Sequence, residues 1–209
     1  MPGPPNRPPE RKEEAPPVAS VPDPPEKKAL RRLVPTHVAL LLDSWKGAPS
    51  PELTGPFARA EAAFAAGEFG AALSSLDLLS VRFTEPRWPT LPLPFRHLRV
   101  PIPAPTPPHW DPDHALSPPD REAKKARRGA EEQFGLAEAS LAWAAAHGIA
   151  TDDLSPALAA AKEALSAPGV SPRFFEHLDA VWTGLKPRLP RPGSGGTTPK
   201  PTGPAPAEA

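Results

Sequence analysis

The chain has 209 residues, 24 basic and 24 acidic side chains, and no cysteine. Zero net charge removes the global attraction that nucleic-acid or anionic-membrane binding uses, and the missing thiols exclude disulfides and thiolate metal sites. The outlier is proline, with 36 residues, of which ten fall in 1–25, twelve in 84–119 and seven in 187–209.

Residues 1–25 read as a disordered proline-rich tail. They carry too little apolar surface to offset an ordering entropy of about 1–2 kcal/mol per residue. The first residues show no basic-then-apolar leader pattern, and no apolar run approaches the ~20 residues of a membrane span. We therefore expect no membrane partner and a cytoplasmic setting.

Residues 26–186 read as one all-α domain. Leu30, Leu33, Val34, Val38, Leu41, Leu42 and Trp45 share one helical face, and Pro35 within that run predicts a kink or two short helices. Phe57, Ala60 and Phe64, then Gly67, then Phe69, Ala72, Leu73, Leu76, Leu79 and Phe83 predict two helices hinged at the glycine. Phe57, Phe64, Phe69 and Phe83 are the expected core aromatics.

The segment 84–118 is a proline-rich insertion. Within it, Leu91, Leu93 and Phe95, then Leu98, Val100 and Ile102, alternate at period two. Proline between them forbids a full hydrogen-bond ladder. An extended or polyproline II belt, docked by alternate side chains across the helices or capturing a partner, is the reading that covers this apolar surface. Trp88 and Trp110 bracket it. His109, Asp111, Asp113 and His114 in "HWDPDH" match no established metal spacing and suit turn chemistry, so no metal is expected.

A long helix from about Pro119 to Ala146 follows, with the stripe Ala123, Ala126, Ala130, Phe134, Ala137, Leu141 and Ala144. Trp143 lies off that stripe, so a second contact has to cover it. Lys124, Lys125, Arg127 and Arg128, with Arg96 and Arg99 of the belt, form a candidate basic patch for nucleic acid. Asp120–Lys124 and Arg127–Glu131 at i, i+4 favour a solvated charged face instead. Leu158, Ala161 and Leu165 mark the next helix, and Phe174, Leu178, Val181, Trp182 and Leu185 the last. Four Ser-Pro pairs, at Ser50, Ser117, Ser155 and Ser171, read as helix N-caps followed by proline at the first helical position. Proline-directed phosphorylation is the alternative use of these pairs. Residues 187–209 read as a second disordered tail; its "GSGGTTPK" lacks the strand and spacing of a phosphate loop.

The stretch "FARAEAAFAAGEFGAALSSLDLLSVRF", residues 57–83, resembles one tetratricopeptide repeat. Ala60, Gly67, Phe69, Ala72 and Leu76 occupy the family's small, turn, aromatic, small and large positions. A small residue is missing near Leu79, and the closing proline comes late, at Pro86. The resemblance implies an irregular helical-hairpin domain whose grooves bind peptides or helices. "AEASLAWAAAHGIATDDLSPALAAAKEAL" is a looser second hairpin turning at His147-Gly148. Stacked repeats are stable from about three units, so a regular array is not expected.

No phosphate loop, nucleophile elbow or catalytic carboxylate pair stands out, and Asp152-Asp153 reads as a turn. The expectation is a non-catalytic adaptor or scaffold without cofactor, binding another protein or a peptide. Its candidate contact residues are Trp88, Leu91, Leu93, Phe95, Leu98, Val100, Ile102, Trp110 and Trp143. An accessory role on nucleic acid through residues 124–128 is the alternative.

Overall fold

The structure is a computed structural model that describes residues 23–44, 51–83, 94–98, 117–167 and 169–191. Among these the chain is all-α: six helices, short 3-10 turns and no strand. The helices are α1 (Pro25–Ser44), α2 (Pro51–Ala65), α3 (Phe69–Arg82), α4 (Pro118–Ala146), α5 (Ser155–Ser166) and α6 (Pro172–Leu185). None is long and apolar enough to cross a membrane.

The fold is organised around α1. Ala29, Leu30, Leu33, Val34, Val38, Ala39, Leu40 and Leu41 are buried, and so are Arg31, Thr36 and His37 between them. A helix buried on every side is a central one; α1 meets α2, α3, α4, α6 and the 3-10 turn at Phe95–Leu98. Of the two expectations at Pro35 this overturns the split into two short helices, since α1 runs through it as one helix. Proline inside a helix costs about 3 kcal/mol, but packing around the whole circumference outweighs that local preference.

α2 and α3 form the most extensive helix contact in the molecule. Ala60 and Ala72 are fully buried and let the two backbones approach, while Leu76 and Leu79 fill the seam. Gly67, at φ 79°, ends α2. Its N–H donates to the Phe64 carbonyl at 3.1 Å and the Glu68 N–H to Ala63 at 2.8 Å, the paired bonds of a Schellman cap. Phe57 and Phe83 are core residues. Phe64 and Phe69 are only partly buried. They meet edge to face at 5.5 Å over the hinge, so both deviate from the expected core assignment.

α4 behaves differently along its length. Ala130, Leu136, Ala137, Ser140, Leu141, Trp143 and Ala144 are buried, whereas Ala123 and Ala126 are exposed. The expected stripe thus holds only from Ala130 onward, and the first three turns stand off the core. α4 ends in the same way as α2. Gly148 lies at φ 73°, and the Gly148 and Ile149 N–H groups donate to Ala145 and Ala144.

The second sequence hairpin is also repartnered. α5 packs mainly on α6, and less on α4. The reason is the apolar face of α6: Phe174, Leu178, Val181, Trp182 and Leu185 are all fully buried. Of the described Ser-Pro pairs, Ser117 accepts a bond from the Asp120 N–H at 3.4 Å and its hydroxyl meets the Asp120 carboxylate. Ser171 takes the cap position without a side-chain cap bond, and Ser155 sits one residue inside α5. Proline at the first turn, common to all three, marks these boundaries more consistently than serine does. Ser50 lies outside the described residues.

Candidate functional site

The belt enters the described structure at Pro94–Leu98, and there it is not extended. Phe95–Leu98 form a 3-10 turn closed by the His97 N–H on the Pro94 carbonyl at 3.0 Å. With three residues per turn, positions i and i+3 eclipse. Phe95 and Leu98 therefore point the same way and are buried, at 2% and 9% exposure, while Arg96 and His97 face outward. The period-two pattern predicts an extended or polyproline II belt; at these residues the local bond makes the pair Phe95/Leu98 one face of a turn instead.

This turn sits between α1 and α4. Its contact with α1 is direct. On α4, a Cβ added at Gly135 would lie 3.5 Å from Pro94 Cβ and 3.7 Å from Cγ, ordinary van der Waals contact, so the proline ring packs beside the glycine with room for a methyl between them. His97 Nδ1 lies 3.8 Å from Glu132 Oε1, one turn before that glycine. Burying Phe95 and Leu98 contributes about 1.5–3 kcal/mol each before entropy. Sequence reasoning missed Gly135 and Glu132. The available signal was a glycine in the middle of a strong helical pattern, which costs about 1 kcal/mol against alanine.

Trp88, Leu91, Leu93, Arg99, Val100, Ile102 and Trp110 lie outside the described residues, as do His109, Asp111, Asp113 and His114. Trp143 is 8% exposed. Its cover is His147, stacked at 4.4 Å and 23° and donating from Nδ1 to the Trp143 carbonyl at 2.6 Å. That leaves Trp143 with little surface for a partner.

Lys124, Lys125, Arg127 and Arg128 are exposed on the part of α4 that stands off the core, and Arg96 is exposed on the 3-10 turn. Arg127 pairs with Glu131 and Arg128 with Glu132, each at 3.2 Å. Arg127 also donates to the Ala167 carbonyl at 3.3 Å. The helical spacing that gathers these cations therefore brings carboxylates alongside two of them.

Two charged clusters had no local signal. In the first, Arg31 grips Asp179 of α6 through Nε at 2.6 Å and Nη2 at 3.0 Å, and Lys27 adds a contact at 3.2 Å. Asp23 also pairs with Arg31, whose guanidinium stacks over Phe175 at 4.5 Å. In the second, His37 Nε2 donates to the Pro190 carbonyl at 2.8 Å, and the ring tilts against Phe57 at 4.9 Å. Because Nε2 carries the proton, neutral His37 turns the lone pair of Nδ1 toward Glu61 Oε1, 3.8 Å away. Burial, helped by the charge of Lys186, holds the imidazole down to about 4, so it is neutral at pH 7 and the contact is not an ion pair. Burial pushes the Glu61 carboxyl up. Lys186 itself lies over the Phe64 ring at 4.4 Å.

Asp153 chelates Arg188 through both oxygens at 2.6 Å, and Arg188 donates to the Ala150 carbonyl at 2.7 Å. This pair ties the α4–α5 link to the segment after α6, so the expected tail at 187–209 starts too early: Arg188 and Pro190 are held by Asp153 and His37, and Leu189 is buried. Among the described residues no three His, Asp or Glu side chains gather as metal ligands. No family model, no curated protein and no solved structure matches the chain.

Proposed function

We propose that this protein is a non-catalytic interaction module whose helical body receives a short linear segment of another protein. The observation that carries the reading is the seating of residues 94–98. A turn of five residues buries two large apolar side chains between α1 and α4 and leaves its polar residues outside. That is the arrangement by which helical grooves take apolar anchors at i and i+3 from peptide ligands. The close α2–α3 hairpin, with Ala60 and Ala72 at the contact, supports the likeness to tetratricopeptide domains. The basic run at 124–128 is a weaker basis for function, because two of its four cations already face carboxylates one turn on.

Affinity capture with the intact chain and with a Phe95→Ala/Leu98→Ala variant, followed by crosslinking, tests this. The expected result is a stoichiometric protein partner, better retained by the variant and crosslinked to α1 and α4. Absence of any stoichiometric protein from both forms, or turnover of a small molecule by the purified chain, would count against it.

A further inference from the structure

The seat of residues 94–98 has three parts that are not interchangeable, and each reads a different chemical feature of its occupant. Gly135 leaves α4 without a side chain beside the Pro94 ring, and a residue larger than alanine there would run into that ring. The groove beside α1 encloses an aromatic and a leucine three residues apart, at 2% and 9% exposure. Glu132 stands 3.8 Å from the imidazole of the residue between them and favours a histidine or a cation there. The occupant closes its turn with a bond of its own, from the His97 N–H to the Pro94 carbonyl, and the burial of its two apolar side chains supplies the rest of the ordering energy.

We infer that the α1–α4 groove recognises a partner protein's Pro-Phe-x-x-Leu turn, with residues 94–98 as its resident competitor. The inference rests on the interaction-module reading above and adds the partner's chemistry and its regulation. Residues 84–93 and 99–116 join the resident segment covalently to the body on both sides. A tethered ligand competes at an effective concentration that reaches the millimolar range for short connections. A partner therefore wins only when a second contact, or a high local concentration, offsets the advantage of the tether.

The test uses a fluorescent peptide, LPLPFRHLRVP, which is residues 91–101 of this chain. Its binding is measured against the full-length wild type and the Phe95→Ala/Leu98→Ala variant, and against that variant carrying Gly135→Phe. Helicity by circular dichroism checks each fold, and Leu98→Ala alone serves if the double change unfolds. The expected result is binding to the vacated groove at least about tenfold tighter than to wild type. Adding Gly135→Phe abolishes it, and so does replacing the second peptide proline of Pro-Leu-Pro by alanine. Equal affinity for wild type and variant, or binding indifferent to Gly135→Phe, would overturn the inference. So would no binding to a folded variant. Wild-type dimers that Gly135→Phe dissociates would assign the groove to a second copy and would also overturn it. Capture of a protein partner at other helices, with no peptide binding, removes this inference and keeps the interaction module. Peptide binding without any protein partner removes the module.

Discussion

His37 shows how one buried ring makes folding depend on pH. The unfolded chain takes up a proton near 6.5, whereas the native ring does so only at about 4. Between those values the unfolded state binds more protons, so stability is full above 6.5 and is lost as pH falls toward 4. The whole step is worth about 3 kcal/mol, of which roughly 2 is lost by pH 5. Glu61 acts in the opposite sense: its raised carboxyl favours the native state at low pH and disfavours it as pH rises through its titration. Urea unfolding of wild type and His37→Gln at pH 7 and pH 5 isolates the histidine. The variant keeps a donor for the Pro190 carbonyl and is expected to lose about 2 kcal/mol less than wild type over that interval. Equal losses in the two proteins would refute the assignment.

Among the elements, two helical glycines give opposite expectations from the same substitution. Gly129 has nothing within 4 Å of an added Cβ, so Gly129→Ala gains about 0.5–1 kcal/mol of helix propensity. At Gly184 of α6 an added Cβ would come within 2.4 Å of Leu154 Cδ2, and Leu154 is itself buried. Overpacking of that kind costs about 1–3 kcal/mol, enough to cancel the propensity gain, so Gly184→Ala is expected to lower the urea midpoint. A higher midpoint for both variants would mean that Leu154 has room to rotate.

The helices were legible in the sequence wherever one face is apolar: α6 follows its predicted residues from Phe174 to Leu185. The glycine turns were legible too, because a positive φ leaves few other choices. What was not legible depends on partners distant in the chain. The proline tolerated in α1, the idle first turns of the α4 stripe and the Arg31–Asp179 pair are all decided by what packs alongside. At the candidate site, Phe95 and Leu98 could be picked out as apolar. Their turn could not, since a single 3.0 Å hydrogen bond, not the period-two pattern, sets their direction.

At the scale of the molecule, Arg31 and Asp179 link α1 to α6 across 148 residues of sequence. Truncating Asp179 leaves the buried Arg31 with only the half-exposed Asp23 as partner, so Asp179→Ala is expected to cost about 3 kcal/mol. Replacing both, as Arg31→Met/Asp179→Leu, removes the desolvation penalty along with the attraction and should restore most of that loss. Thermal or urea unfolding of the three variants checks this. A double variant no more stable than Asp179→Ala would show that the surroundings need the charges for another reason.

Because α1 lies at the centre and α6 closes over it, the order of manufacture runs against the order of need. A ribosome adding about 5–20 residues per second releases α1 on the order of ten seconds before α6 exists. Through that interval the most extensively buried of the described helices has no final cover. Closure of the core must therefore await the synthesis of α6, long after its centre has been made.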